Sequence, residues 1–219
     1  METRSRYPII LAGLVVLCLV ISAIDPYNRG TWLMEVAPAL IALPILAVTY
    51  RRFPLTPLLY MLIALHASVL ILGGAYTYAR VPLGFWMQEV LAIDRNPYDK
   101  IGHFMQGFVP AMVARELFLR KGYLTNRRMT AFLAICVSMA ISAWYELVEW
   151  GAAVALGEGA DQFLGTQGDV WDTQSDMLMA FIGAIAALAL LSRWHDRQIE
   201  KLAGAITAQR PASPTSLPR

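Results

Sequence analysis

Apolar segments of membrane length recur along the whole of this 219-residue chain. Crossing about 30 Å of hydrocarbon takes roughly 20 mostly apolar residues. The segments that approach this length are residues 8–24, 32–50, 57–74, 98–118, 129–150 and 174–193. Charged residues make up 16% of the chain, against roughly 25% in an ordinary soluble domain. The pattern predicts an all-α, polytopic integral membrane protein with about six transmembrane helices.

The basic residues predict how these helices are oriented. Lys and Arg in short connections are retained on the cytoplasmic side. In a six-helix arrangement the following fall on one side: Arg4, Arg6, Arg51, Arg52, Arg120, Lys121, Arg127, Arg128, Arg193, Arg197 and Lys201. We therefore expect both termini to be cytoplasmic.

One domain accounts for most of the chain in this scheme. Residues 1–200 are expected to form a single six-helix transmembrane domain, and residues 201–219 a cytoplasmic tail. The end of the tail, QRPASPTSLPR, is rich in proline and serine, which favours disorder. Basic residues do not alternate with aromatic ones in any stretch, so we expect no nucleic-acid partner.

Ionisable residues concentrate near the predicted outer ends of the last three spans. They are Asp99, Lys100, His103 and Gln106 in NPYDKIGHFMQGF, Glu146 and Glu149 in ISAWYELVEWG, and Asp169, Asp172 and Asp176 in GTQGDVWDTQSD. Spacings of three, four and seven residues place the members of each set on one helical face, apart from Lys100. The three sets are expected to meet at one depth in the membrane.

Such a cluster suggests a site. An ionisable group within a span costs at least about 2.5 kcal/mol and normally faces the bundle interior. The predicted catalytic residues are His103, Glu146 and Glu149, the substrate-binding residues Lys100 and Gln106, and the metal ligands Asp99, Asp172 and Asp176. Oxygen and nitrogen donors suit a divalent metal, whereas adjacent carboxylates also suit proton transfer without one. A structural alternative is that Asp172 and Asp176 only cap the last helix.

The remaining polar residues suggest structural roles. His66 is expected to be a hydrogen-bonded core histidine, and His195 is expected to be solvated at the basic cytoplasmic end of the last span. Arg115 and Glu116 suggest a local ion pair or a snorkelling arginine. Four tryptophans near the outer boundary predict an interfacial belt; they are Trp86, Trp144, Trp150 and Trp171.

Three motifs carry a resemblance to a known family. The stretches YDKIGHFMQGFVPA, SAWYELVEW and FLGTQGDVWDTQSDM resemble the YjdF-like family of bacterial inner-membrane proteins, over roughly residues 5–200. The resemblance implies a six-helix fold in the inner membrane and brings no established activity.

A more distant similarity is to the VanZ-like family, which is linked to glycopeptide (teicoplanin) resistance. Its pattern is Asp-Lys-x-x-His-Phe in one helix, a Glu in a later one, and Asp-x-x-x-Asn-x-x-Gly in the last. The matching residues here are Asp99, Lys100, His103, Phe104, Glu146, Asp176 and Gly183. Ala180 stands where the pattern has Asn, so the similarity implies a shared helical core but not the same reaction.

Taken together, these features favour a protein that binds, and acts on, an amphiphilic envelope substrate such as a lipid-linked phosphate. Membrane lipids are the expected surroundings, and the oligomeric state is left open. A proton-coupled transporter would use the same carboxylates as a relay. A non-enzymatic envelope scaffold would use the acidic loop as an interface.

Overall fold

The computed structural model describes residues 6–156 and 167–208. The helices are α1 (Tyr7–Ile24), α2 (Arg29–Thr49), α3 (Pro57–Tyr76), a 3-10 helix (Tyr78–Arg80), α4 (Pro82–Leu91), α5 (Tyr98–Arg120), α6 (Arg127–Leu156) and α7 (Asp172–Ala208). Within the described residues there is no strand. The prediction of an all-α, multi-span membrane protein is confirmed.

Each predicted span falls on one of the long helices. Five of these helices are long and apolar enough to cross a membrane, and the exception is α5. Its 23 residues give it a length of about 35 Å, which is enough to cross a membrane. However, charged residues at both ends make the helix less apolar than the other five. The sequence pattern does not predict α4 or the 3-10 helix, and the predicted disordered end, residues 209–219, lies outside the described residues.

The long helices form two groups of three. In the first group α1 and α2 pack on α3, and in the second α6 and α7 pack on α5; α3 and α5 provide the main contact between the groups. Only 11% of the apolar window of α1 is buried in the protein, so this helix lies at the lipid-facing edge. In contrast, α5 is surrounded by protein, which makes its charged residues tolerable.

Small residues bring α5 and α7 together. A Cβ atom on Gly107 would overlap the carbonyl oxygen of Ala180, and one on Gly183 would overlap that of Phe104. Glycines at a helix contact allow two backbones to approach closely in a membrane. This contact places the start of α7 beside the start of α5, where the acidic residues of both helices lie.

A proline in α2 determines one contact between the groups. Pro38 lies within the helix and has no N–H to donate to the carbonyl of Met34, four residues earlier. The hydroxyl of Tyr145, on α6, donates to this carbonyl at 3.2 Å. The bond satisfies the freed acceptor and places Tyr145 beside α2.

The end that carries the basic connections, which we call the basic end, contains a buried charged network. Glu116 is fully buried and accepts hydrogen bonds from the hydroxyl of Thr56 at 2.8 Å, from Arg120 Nη1 at 2.6 Å and from His195 Nε2 at 2.8 Å. These bonds join α5 to the start of α3 and to α7. Burial of all these groups together is tolerated because each has a partner.

Two expectations for this end are wrong. His195 is 0% exposed and not solvated, because it lies between Glu116 and Arg115, whose Nη1 donates to its Nδ1 at 3.1 Å. Arg115 pairs with Asp196 at 2.5 Å and not with Glu116. Adjacent residues of a helix point in different directions, so Arg115 and Glu116 do not face each other, and each contacts a partner on α7 instead.

Candidate functional site

The opposite end of the bundle, which we call the outer end after the predicted orientation, contains the candidate site. The start of α5, the last turns of α6 and the start of α7 meet there. We define the outer cluster as Arg95, Asp99, Lys100, His103, Gln106, Glu146, Glu149, Asp169, Asp172 and Asp176. Asp99, His103 and Asp176 are only 4%, 5% and 2% exposed. All the site residues predicted from the sequence belong to this cluster, so they lie in one region of the bundle.

Lys100 lies on one side of the cluster. Its ammonium group donates to Asp172 Oδ1 at 2.8 Å, to Ser175 Oγ at 2.7 Å and to Asp176 Oδ1 at 2.6 Å. These bonds use the three donors that a lysine has. Lys100 therefore ties the start of α5 to α7.

Arg95, in the connection before α5, shares one of these carboxylates. Its Nη1 lies 2.7 Å from Asp172 Oδ1 and 3.0 Å from Asp169 Oδ2. Burial lowers the pKa of the Arg95 guanidinium, but the hydrogen bond and charge of Asp172 outweigh burial and raise this pKa above its ordinary value. Asp172 is thus held by two cations at once.

His103 occupies the other side, with carboxylates around its ring. Its Nε2 lies 3.4 Å from Asp99 Oδ1 and 3.8 Å from Asp176 Oδ1. Its Nδ1 lies 3.2 Å from Gln106 Oε1 and 3.6 Å from Glu146 Oε1. Both nitrogens of one imidazole therefore face oxygen atoms from three helices.

Among the residues that the structure describes, two sets of side chains could each hold a metal ion. One set is Asp99, His103 and Asp176, and the other is His103, Glu146 and Glu149; within each set the donor atoms all lie within 4.8 Å of one another. Carboxylate and imidazole donors in this number suit divalent metals such as zinc or manganese. Asp172, which the sequence suggested as a ligand, belongs to neither set.

Several buried polar atoms here have no hydrogen-bond partner among the described residues. In the outer cluster they are the acceptors Asp99 Oδ2 and Glu146 Oε1 and the donors Nε and Nη2 of Arg95, and next to it Ser142 Oγ, Glu35 Oε2 and His66 Nε2. A buried acceptor left without a donor costs about 1–3 kcal/mol. The cluster is therefore incomplete as a purely structural network.

Sequence reasoning missed Arg95 and Glu35. Glu35, on α2, is 4% exposed and interacts with the hydroxyls of Tyr78 and Tyr145 and with the charges of Asp99 and His103. A signal was available, because Glu35 is the one carboxylate in the apolar run TWLMEVAPALI. Arg95 carried no such signal, since it lies in a polar connection.

The amide side chain of Gln167 aligns the two polar connections at this end. The backbone N–H of Asn96 donates to Gln167 Oε1 at 3.0 Å, and Gln167 Nε2 donates to the carbonyl of Asn96 at 3.0 Å. This two-way bond joins the residues that precede α5 to those that precede α7. It holds Arg95 within reach of Asp169.

Comparison with known proteins identifies the family. The family model described as "Predicted membrane protein (DUF2238)" matches residues 7–197. The chain belongs to this family. It is also 55% identical to the "Inner membrane protein YjdF" of Escherichia coli (strain K12), over 94% of this chain and 99% of that protein.

These findings confirm the resemblance to the YjdF-like family and the multi-pass location in the bacterial inner membrane. No solved structure matches the chain. The similarity to the VanZ-like family stays a prediction. Neither description assigns an activity, so the function has to be argued from the site itself.

Proposed function

We propose that the outer cluster binds a divalent cation and that the protein uses this site to bind and process an amphiphilic envelope substrate. The observation that carries the proposal is the position of His103, which lies between two carboxylate pairs. On one side are Asp99 and Asp176, and on the other Glu146 and Glu149. Oxygen atoms from both sides remain without hydrogen-bond donors.

The balance of charge supports a cation. Carboxylates outnumber permanent cations in and beside the cluster; the carboxylates are Glu35, Asp99, Glu146, Glu149, Asp169, Asp172 and Asp176, and the cations are Arg95 and Lys100. Both cations bond to Asp172, and Lys100 also bonds to Asp176. Neutralising the His103 side needs bound protons or a metal ion, because buried like charges repel strongly.

The chemistry follows from what a metal ion supplies. A bound divalent ion polarises a phosphoryl or carbonyl oxygen and lowers the pKa of bound water. His103 with one carboxylate pair would hold the ion, and the other pair would accept or donate a proton. Lys100 was expected to meet a substrate anion, but its three bonds make it first a counter-ion for Asp172 and Asp176.

The surroundings of the cluster favour a substrate that comes from the lipid. Trp144 and Trp150, on α6, and Trp171, just before α7, are 68%, 66% and 67% exposed. Tryptophan is enriched at the membrane–water interface. An amphiphile with a phosphate or ester headgroup would place that headgroup at this depth and its chains in the lipid.

The first test is elemental analysis by mass spectrometry of the full-length protein purified in detergent. We expect about one divalent ion per chain, and loss of most of it in the variants His103→Ala and Glu146→Gln. The matched control is Glu89→Gln, which removes an exposed carboxylate of α4 at the same end. This variant should retain its metal.

Two results would contradict the proposal. The first is a protein that stays metal-free after incubation with zinc, magnesium, manganese and calcium. The second is equal metal loss in Glu89→Gln, which would indicate nonspecific binding to surface carboxylates. If the metal is confirmed, lipids with phosphate and ester headgroups become the substrates to assay, with His103→Ala as the inactive reference.

A proton-coupled transporter is the second candidate, and Glu35 and His66 are the observation that favours it. They extend the buried polar groups from the cluster to α2 and α3. However, an apolar layer separates this region from the basic end; it includes Met105, Val109, Ala111, Met112, Ala184 and Leu188. A relay through the described residues would have to cross this layer, so we place this function second.

A further inference from the structure

A recess of about 540 Å³ opens at the outer end and shares no residue with the outer cluster. Its lining is Tyr27, Tyr76, Ala79, Arg80 and Phe85. These residues come from the connection after α1, the end of α3, the 3-10 helix and the start of α4. Aromatic rings and one cation thus form a surface that the proposed function does not use.

Arg80 differs from the arginines that have a carboxylate partner. Arg95, Arg115 and Arg120 each pair with a carboxylate, whereas within residues 6–156 and 167–208 Arg80 has no such salt bridge. Its guanidinium instead stacks over the ring of Tyr27, 4.2 Å from the centroid. Stacking uses the face of the group and leaves its N–H donors at the edge available.

The recess is held in shape by the backbone. The N–H of Tyr27 donates to the carbonyl of Ala75 at 3.0 Å, which fixes the Tyr27 connection to the end of α3. The N–H of Arg80 donates to the carbonyl of Thr77 at 2.9 Å. Tyr78, between these residues, is buried and packs closely on Gly73. Binding here would therefore cost little ordering of the protein.

The neighbouring helix α4 indicates where the recess lies relative to the membrane. Its 10 residues reach only about 15 Å, half of the hydrocarbon thickness. Its exposed large apolar side chains are Leu83, Phe85, Trp86, Val90 and Leu91. We expect a short helix with such exposed apolar side chains to lie in the membrane interface, with Arg80 at the depth of the lipid headgroups.

We propose that this recess binds the phosphate group of a membrane phospholipid. Arg80 supplies the charged donor, because a planar guanidinium matches two phosphate oxygens at once. The hydroxyls of Tyr27 and Tyr76 supply neutral donors, and the apolar face of α4 lies along the acyl chains. This site is independent of the metal proposed at His103.

The test uses full-length protein in detergent and fluorescence quenching of its tryptophans, including Trp86, by lipids with brominated chains. Brominated phosphatidylglycerol is compared with a brominated galactolipid that has no phosphate. We expect tighter binding of phosphatidylglycerol, weakened about tenfold in Arg80→Gln, since a charge-assisted hydrogen-bond pair is lost. Arg80→Lys, which keeps the charge but not the planar donors, should fall between the two.

Matched variants make the result specific. Arg29→Gln removes another exposed arginine of the outer end, one that does not line the recess, and should bind as the wild type does. Arg80→Gln should keep the metal content of the wild type, which separates this site from the metal site. If Arg80→Gln proves unstable, Tyr27→Phe with Tyr76→Phe keeps both rings, removes both hydroxyls and should weaken binding severalfold.

Three outcomes would overturn the proposal. Equal affinity for the galactolipid would show that no phosphate is recognised. Equal weakening in Arg29→Gln and Arg80→Gln would indicate attraction to surface charge in general. Displacement of the lipid by millimolar inorganic phosphate would assign the recess to a soluble anion.

Discussion

Asp172 lies on the helical face that the sequence predicts, but its contacts give it a different role from the predicted one. It was a candidate metal ligand, but its Oδ1 lies 2.8 Å from Lys100 Nζ and 2.7 Å from Arg95 Nη1. Two cations beside one carboxylate repel a third, so Asp172 is a poorer metal ligand than the other carboxylates. Asp176 also bonds to Lys100, at 2.6 Å, but it lies beside His103 as well, 3.8 Å from Nε2.

The first prediction separates these two aspartates. Asp172→Asn should lower the free energy of unfolding by about 1–3 kcal/mol, because the amide removes a charged acceptor from two partly buried donors. It should leave the metal content unchanged, whereas Asp176→Asn should lose most of the metal. Thermal unfolding and elemental analysis of both variants check this. The opposite pattern would move the metal to the Asp172 side.

Among the elements, α5 is too polar to be recognised as a membrane span from hydropathy, yet it is the helix that organises the second group. Its charged ends are surrounded by α3, α6 and α7, so the cost of placing ions in lipid is avoided. Its middle is apolar or small. The close contact at Gly107 lets α7 lie along it.

The second prediction concerns this contact. Gly107→Ala should lower the free energy of unfolding by about 1–3 kcal/mol, because a Cβ there overlaps backbone of α7, which cannot move alone. Gly151→Ala is the control, since nothing lies within 4 Å of the added atom; it should be neutral or stabilising. Denaturant titration in detergent measures both. Equal stability of the two variants would contradict close packing at Gly107.

The third prediction concerns the network at the basic end. Glu116→Ala should lower the free energy of unfolding by about 3–5 kcal/mol, because it leaves buried partners on α3, α5 and α7 without their acceptor. Glu200→Ala, an exposed carboxylate of the same end, should change it by less than about 0.5 kcal/mol. A loss in Glu116→Ala no larger than in the control would mean that the network contributes no stability.

At the scale of the whole molecule, two buried charged layers lie at opposite ends of one bundle. His103 and Glu116 are 13 positions apart on α5, or about 20 Å along the helix axis. An apolar layer fills the space between them. The layer at the basic end has its partners, whereas the outer cluster keeps buried oxygens without donors. This difference is why we assign function to the outer end.

The fourth prediction tests which end faces the cytoplasm. In a variant that lacks Cys18 and Cys136, Asp94→Cys lies exposed in the connection before α5, and Tyr123→Cys lies exposed in the connection after it. A membrane-impermeant thiol reagent added to spheroplasts should label position 94 and reach position 123 only after permeabilisation. The reverse labelling would invert the orientation and move the outer cluster to the cytoplasmic side.

The family membership and the fold class could be predicted from the sequence because both depend on local properties. Apolar run length decides where a chain can cross lipid, and spacing decides which residues share a helical face. Helical spacing alone was enough to predict the face of α5 that carries His103 and the pairing of Glu146 with Glu149 on α6. The same reasoning placed His195 in water, because local pattern cannot show that Arg115 and Glu116 lie across from it.

The sequence by itself determined the membrane helices and the ionisable residues that lie near their ends. Only the tertiary structure decided which of those residues pair with one another. Asp172 pairs with both Lys100 and Arg95, whereas Asp99, Asp176, Glu146 and Glu149 lie around His103, and Asp176 also bonds to Lys100. The reason is physical: pairing depends on distances between atoms of different helices, and these follow from packing such as the α5–α7 contact at Gly107.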